Sequence, residues 1–235
     1  MIDYNCYLGY WPFYKLKNNS FEDLKKSHKE NNIEYGYVSS LQSIFYNDFY
    51  ESEKDLYETI KGSNYKHVVT VNPNLPACTL TLKRCIEEFD VSGIRLVSGY
   101  HGYKLTDRVL KPITEIAKEH NLILFVTLRL YHDCFYDYIN PIKIDGNDVK
   151  KLIKENPGMK IIVNYAEFSE MLKFKDQIVD NPYVAADVSA FTGNQFSVDN
   201  DITQNLVFGS AFPLTSVKTI KLLVDNYPAV KFKNM

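Results

Sequence analysis

Arginine, paired cysteines, glycine-rich loops and long apolar runs are all scarce in this 235-residue chain. No apolar stretch approaches the ~20 residues that a membrane-spanning helix needs. The N-terminus runs straight into a strand pattern, without the basic region and apolar core of a signal peptide, so a cytoplasmic protein is the expectation. The four cysteines, Cys6, Cys78, Cys85 and Cys134, form no C-x-x-C pair and no zinc-type spacing. Cys78 and Cys85 lie seven apart on a predicted helix and read as core residues. The glycines make neither G-x-G-x-x-G nor a Walker loop, which argues against a nucleotide-binding sheet. Net charge is −2 with no basic run, which speaks against nucleic acid or an anionic membrane as partner. Only Arg84, Arg95, Arg108 and Arg129 are arginines, so the place of each carries information.

Against these absences stand 18 Tyr and 14 Phe, with an ordinary 45% hydrophobic and 24% charged content that suits a chain able to bury a large core. Strand-like runs occur at 2–8, 35–41, 67–73, 93–98, 122–130, 160–165, 183–189 and 206–211. Helical patterns separate them at 20–32, 51–62, 78–89, 105–120, 146–158, 166–178 and 212–227. Ser20 is placed to cap the first helix, Gly62 to stop the second, and Pro112 to kink the fourth. About eight strand–helix alternations predict a parallel sheet with right-handed crossovers. The fold expected is α/β, a single (β/α)8 TIM-type barrel over residues 1–235. A doubly wound open sheet is the rival.

Certain motifs sit in a suggestive order. The first strand reads IDYNCYLG (2–9), the fourth GIRL (93–96), and the last FGSAFP (208–213). Together they resemble the amidohydrolase-related barrels, which include small metal-dependent hydrolases and aromatic-acid decarboxylases. There the corresponding strands read like I-D-x-H-x-H-x-G, G-I-K-L and F-G-T-D-Y-P. The resemblance implies an amidohydrolase-like barrel with its site at the carboxyl ends of the strands. It also implies where a metal would be held, and at those positions this chain has Asn5, Tyr7, Thr127, Tyr165 (give or take one residue) and Ala211. Neutral amides, hydroxyls and a methyl group are poor substitutes for imidazole and carboxylate. The expectation is therefore a degenerate metal site and no cofactor.

Other side chains gather at the same end. Asn5 and Tyr7 share a face of the first strand, as do Thr127 and Arg129 on the fifth, and Asp187 and Ser189 on the seventh. Arg95 lies within the fourth. A buried arginine must be paired or bound to an anion. Arg95 or Arg129 could join Asp187 in an internal network, or present a fork to a carboxylate or phosphate. The ligand-binding candidates are Asn5, Tyr7, Arg95, Thr127, Arg129, Tyr165 and Asp187. His101, His132, Asp133 and Glu167 could instead hold a displaced metal or act as an acid–base set. His28, His67 and His120 read as surface residues. The aromatic stretches GYWPFYKL, SIFYNDFYESEKDLY and YHDCFYDYINP could line a pocket, pack as a lid, or form a homo-oligomer interface.

Two functions stay open at this point. One is a barrel that binds a small carboxylate, phosphate or aromatic acid. The other is an active hydrolase or decarboxylase-like lyase with a displaced metal or none.

Overall fold

The computed structural model describes residues 1–130, 142–179, 181–192, 205–227, 230 and 232–235. Eight parallel strands follow one another around a single sheet: β1 (Ile2–Leu8), β2 (Tyr35–Ser40), β3 (Lys66–Val71), β4 (Val91–Leu96), β5 (Ile123–Thr127), β6 (Ile161–Asn164), β7 (Val184–Asp187) and β8 (Leu206–Val207). Between and after them come α1 (Phe21–Glu30), α2 (Tyr50–Ile60), α3 (Cys78–Glu88), α4 (Ser98–His101), α5 (Lys111–Glu119), α6 (Gly146–Glu155), α7 (Phe168–Met171), α8 (Lys175–Val179) and α9 (Val217–Asp225). The sheet closes on itself: Tyr4 N donates to Phe208 O, Ala211 N to Asn5 O and Tyr7 N to Phe212 O, at 2.7–2.8 Å. This is the TIM-type architecture expected from the alternation.

Local chemistry explains the elements. Ser20 accepts from Asp23 N while the Asp23 carboxylate returns a bond to the Ser20 backbone, a complete capping box. Gly62, at φ 78, takes the left-handed step just beyond α2. All five residues of β5 are buried, as a strand covered on both faces requires.

Several boundaries differ from expectation. The fifth, seventh and eighth strands stop short of the expected ends, although single backbone bonds continue past two of them, from Leu128 N to Asn164 O and from Tyr4 N to Phe208 O. The 105–120 helix divides into a 3-10 turn at Arg108–Leu110 and α5. Pro112 falls in the first turn of α5, where it needs no N–H, and so produces no kink. The 166–178 segment breaks into α7, a 3-10 turn and α8. His120 is exposed, but His28 and His67 are buried, each against a carboxylate, Asp3 and Glu53 respectively. Burial is affordable for both because a partner accepts from the ring.

The barrel interior is stratified. At the amino end Tyr4, Tyr37, Val68, Ile123, Phe125, Ile162, Ala185 and Val207 form an apolar layer, with Met235 packed beneath it. At the carboxyl end Tyr7, Trp11, Leu16, Leu41, Ile44, Val97 and Leu130 form another, with Phe13, Phe45 and Tyr100 against it. A polar layer lies between.

Candidate functional site

The polar layer is built around Arg95. Its Nε donates to Ser39 Oγ at 2.7 Å. Around Nη1 stand Tyr7 OH at 2.8 Å, Asn5 Oδ1 and Thr127 Oγ1 at 2.9 Å, and Asn164 Oδ1 at 3.1 Å. The guanidinium carbon lies 4.5 Å from the Tyr7 ring centroid and 5.2 Å from that of Phe125. Five strands thus contribute to one buried cation. Burial raises the Tyr7 phenol above its ordinary range, with Arg95 and a bond to Thr127 pulling the other way.

Asn5 and Tyr7 can both reach Arg95 because β1 is irregular. Its register with β2 shifts between Asp3 and Cys6. Tyr4 and Asn5 consequently both face the interior, whereas Asp3 and Cys6 contact His28 on α1.

The layer closes into a ring of hydrogen bonds. Asn164 accepts from Arg95 and donates to Asp187 Oδ2 at 2.8 Å. Asp187 Oδ1 accepts from Ser189 Oγ at 2.7 Å, and Ser189 Oγ accepts from Asn5 Nδ2 at 3.3 Å. Asn5 returns to Arg95. Asp187 also accepts from the Tyr165 and Ser189 amides. Burial pushes the Asp187 carboxyl up from its ordinary value, against the pull of these donors. The network expected between an arginine and Asp187 exists, but Arg95 reaches the carboxylate through Asn164. Among the described residues Arg95 has no ion-pair partner, and its Nη2 has no acceptor.

Arg129 stands apart. Its two terminal nitrogens grip Glu170 at 2.6 and 2.7 Å, and it donates to Tyr165 O at 3.2 Å. Glu167 lies 3.8 Å away and caps α7. His101 binds Ile44 O through Nε2 at 2.8 Å, and its burial lowers the imidazole pKa. His132 and Asp133 lie outside the described residues. Tyr165 and Ala211 follow β6 and β8 in the left-handed region, at φ 55 and 56, an uncommon conformation for residues with a Cβ. It is Asn164, one residue before Tyr165, that reaches the centre of the layer. Trp11 packs edge-to-face on Phe13 and Phe45 at 5.3 and 5.4 Å, and Phe45 on Tyr100 at 6.3 Å. The first two aromatic loops thus pack on each other as a lid over the polar layer; the third, 131–141, lies outside the described residues.

Sequence reasoning missed Ser39, Asn164 and Glu170. Asn164 pairs in register with Thr127, so strand parity alone could have placed it. Glu170, three residues after Glu167, shares one helical face with it.

The side chains at the positions where the resemblance implies a metal do not fit one. Asn5, Tyr7, Thr127 and Asn164 offer neutral oxygens, Ala211 offers none, and a cationic nitrogen lies among them. A divalent ion would meet the guanidinium charge directly.

No protein-family model and no curated protein sequence matches the chain. Solved structures do match. A Staphylococcus aureus protein assigned to the amidohydrolases superposes with a TM-score of 0.70 at 11% identity, over 97% of this chain and 92% of that one. An Acinetobacter baumannii protein assigned as a 2-pyrone-4,6-dicarboxylic acid hydrolase, with citric acid bound, gives 0.62 at 12%, over 99% and 96%. The 5-carboxyvanillate decarboxylase of Novosphingobium aromaticivorans, complexed with manganese and 4-hydroxy-3-methoxy-5-nitrobenzoic acid, gives 0.66 at 12%, over 90% and 77%. The chain therefore shares the barrel fold of these proteins. No helix among the described residues is long and apolar enough to cross a membrane.

Proposed function

We propose that this barrel binds a small carboxylate-bearing molecule at the carboxyl end of its strands, with Arg95 as the recognising group and no metal at the position the resemblance implies. One observation carries the reading: Arg95 is a fully buried cation with no ion-pair partner and an Nη2 that lacks an acceptor, among the described residues. A buried charge left in that state is costly, and an anion on Nη2 relieves it. Tyr7, Trp11, Phe45 and Tyr100 above it supply flat apolar surface, which suits an aromatic acid. Two structural neighbours hold carboxylic acids, citric acid in one and a substituted benzoic acid in the other. In this reading Arg129, already engaged by Glu170, holds the rim, while Asn5, Thr127, Asn164 and Asp187 fix the guanidinium. Access requires the Trp11–Phe45 lid to part.

Thermal-shift and calorimetric titration with benzoates, citrate and inorganic phosphate tests this. Ligand at a hundred times its Kd stabilises by about 2.7 kcal/mol, or roughly 5–10 °C for a domain of this size. Arg95→Met should abolish the shift, and Arg95→Lys should weaken binding at least tenfold. No shift with any acid, or a shift that survives in Arg95→Met, rejects the proposal.

A further inference from the structure

Behind β1, on the side of α1, three side chains with ligand chemistry converge. His28 Nε2 lies 3.2 Å from Asp3 Oδ2 and 3.8 Å from Cys6 Sγ. The ligand atoms of all three lie within 4.8 Å of one another, and all three residues are buried. We propose that Asp3, Cys6 and His28 form a binding site for one zinc-class divalent ion, separate from the Arg95 layer.

Geometry is the first argument. Zinc bonds nitrogen, oxygen and thiolate sulfur at about 2.0–2.3 Å, so two ligands at a tetrahedral angle stand roughly 3.2–3.7 Å apart. The separations on His28, 3.2 and 3.8 Å, lie within about 0.1 Å of that range, and the Asp3 and Cys6 ligand atoms stand within 4.8 Å of each other. Charge is the second argument. One carboxylate and one thiolate neutralise a divalent ion, so the loaded site places no net charge in a dry interior. The pairing of thiolate with imidazole selects zinc over the hard cations magnesium and calcium.

The surroundings are built in the same sense. Tyr65 OH stands 3.0 Å from His28 Nδ1, where it fixes the ring and accepts the Nδ1 proton once Nε2 is a ligand. Asp3 Oδ1 is held by the amides of Asn5 and Ser210, both at 3.0 Å, which aims Oδ2 at the imidazole. Gly36 faces the cluster, and a Cβ there would come within 2.7 Å of Cys6 Sγ and 3.1 Å of His28 Cε1. Ser210 adjoins the cluster through its amide, which donates to Asp3 Oδ1. Binding breaks the S–H bond of Cys6, forms the sulfur–metal bond and releases one proton to solvent. The imidazole proton, held on Nε2 while that atom faces the Asp3 carboxylate, passes to Nδ1, where Tyr65 OH accepts it. Because binding displaces the thiol proton, uptake should weaken as pH falls.

The test is metal uptake by the whole chain. Elemental analysis after zinc loading and desalting should give about one ion per chain, with a rise in Tm. Cobalt loading should give a near-ultraviolet thiolate-to-cobalt band. Both should vanish in Cys6→Ala and His28→Gln and persist in Arg95→Met, which separates this site from the anion site proposed above. Substoichiometric zinc, no cobalt band, or a band that survives in Cys6→Ala overturns the proposal. If the variants fail to fold, zinc-edge X-ray absorption on the unaltered protein decides it. One sulfur with nitrogen and oxygen scatterers supports the site; several sulfurs or none rejects it.

Discussion

Arg95 and Arg129 show how differently two buried arginines can be held. Arg129 has a two-pronged grip on Glu170, so removing one partner strands a buried charge. Arg129→Ala should cost about 3–5 kcal/mol in denaturant unfolding. Glu170→Gln should cost less than Arg129→Ala, because the amide can still accept one bond. A fall below about 1 kcal/mol for Arg129→Ala would show the pair to be dispensable. His101 makes a pH-dependent prediction. Burial lowers its folded pKa, so between that value and the unfolded value near 6.5 the unfolded chain binds more protons. Its contribution to stability is complete above about pH 6.5 and is lost as pH falls through the folded pKa. The Tm drop from pH 7.5 to 5.5 should therefore shrink in His101→Gln; equal drops in both proteins would contradict this account. Composition pointed at Arg95 and Arg129 because arginine is so rare here. It could not say which was paired, since Glu170 follows 41 residues after Arg129 and reaches it only through the fold.

The strand centres were legible because β-branched and aromatic runs of four to six residues bounded by polar turns have few other readings. Their ends were not, because regular pairing gives way to isolated backbone bonds past β5 and β8, which an apolar run does not register. β1 is the clearest case. Strict alternation places Asp3, Asn5 and Tyr7 together, but the register shift turns Asp3 outward to His28 and leaves Asn5 and Tyr7 on Arg95. The Asp3–Cys6–His28 cluster was illegible for the same reason, as its members meet only once the irregular strand packs on α1. Beyond β8, Gly209 lies against Asp187, and a Cβ there would collide with the carboxylate and stand 2.8 Å from its Cγ. Gly209→Ala should destabilise by about 1–3 kcal/mol through overpacking. A neutral result in denaturant unfolding would mean that Asp187 can yield.

The molecule as a whole is a stack of three interior layers, apolar, polar and aromatic, closed below by its last residues. Met235 N donates to Tyr4 OH at 3.0 Å, and Lys233 donates from its ammonium group to Asn181 O and Val184 O at 3.2 and 2.9 Å. Deleting residues 232–235 uncovers the lower layer and should lower Tm by several degrees, which differential scanning calorimetry would register; an unchanged Tm would show that the layer is sealed without them. The eightfold alternation made the barrel readable from sequence, whereas the layering arises from parity relations across strands far apart in the chain. The joint between β1 and the residues after β8 bears on how such a chain is made. Asn5 and Ala211 must meet before the wall is continuous. During synthesis, then, the first strand waits with one edge bare until more than two hundred residues have left the ribosome, and through that interval it is a template for wrong partners.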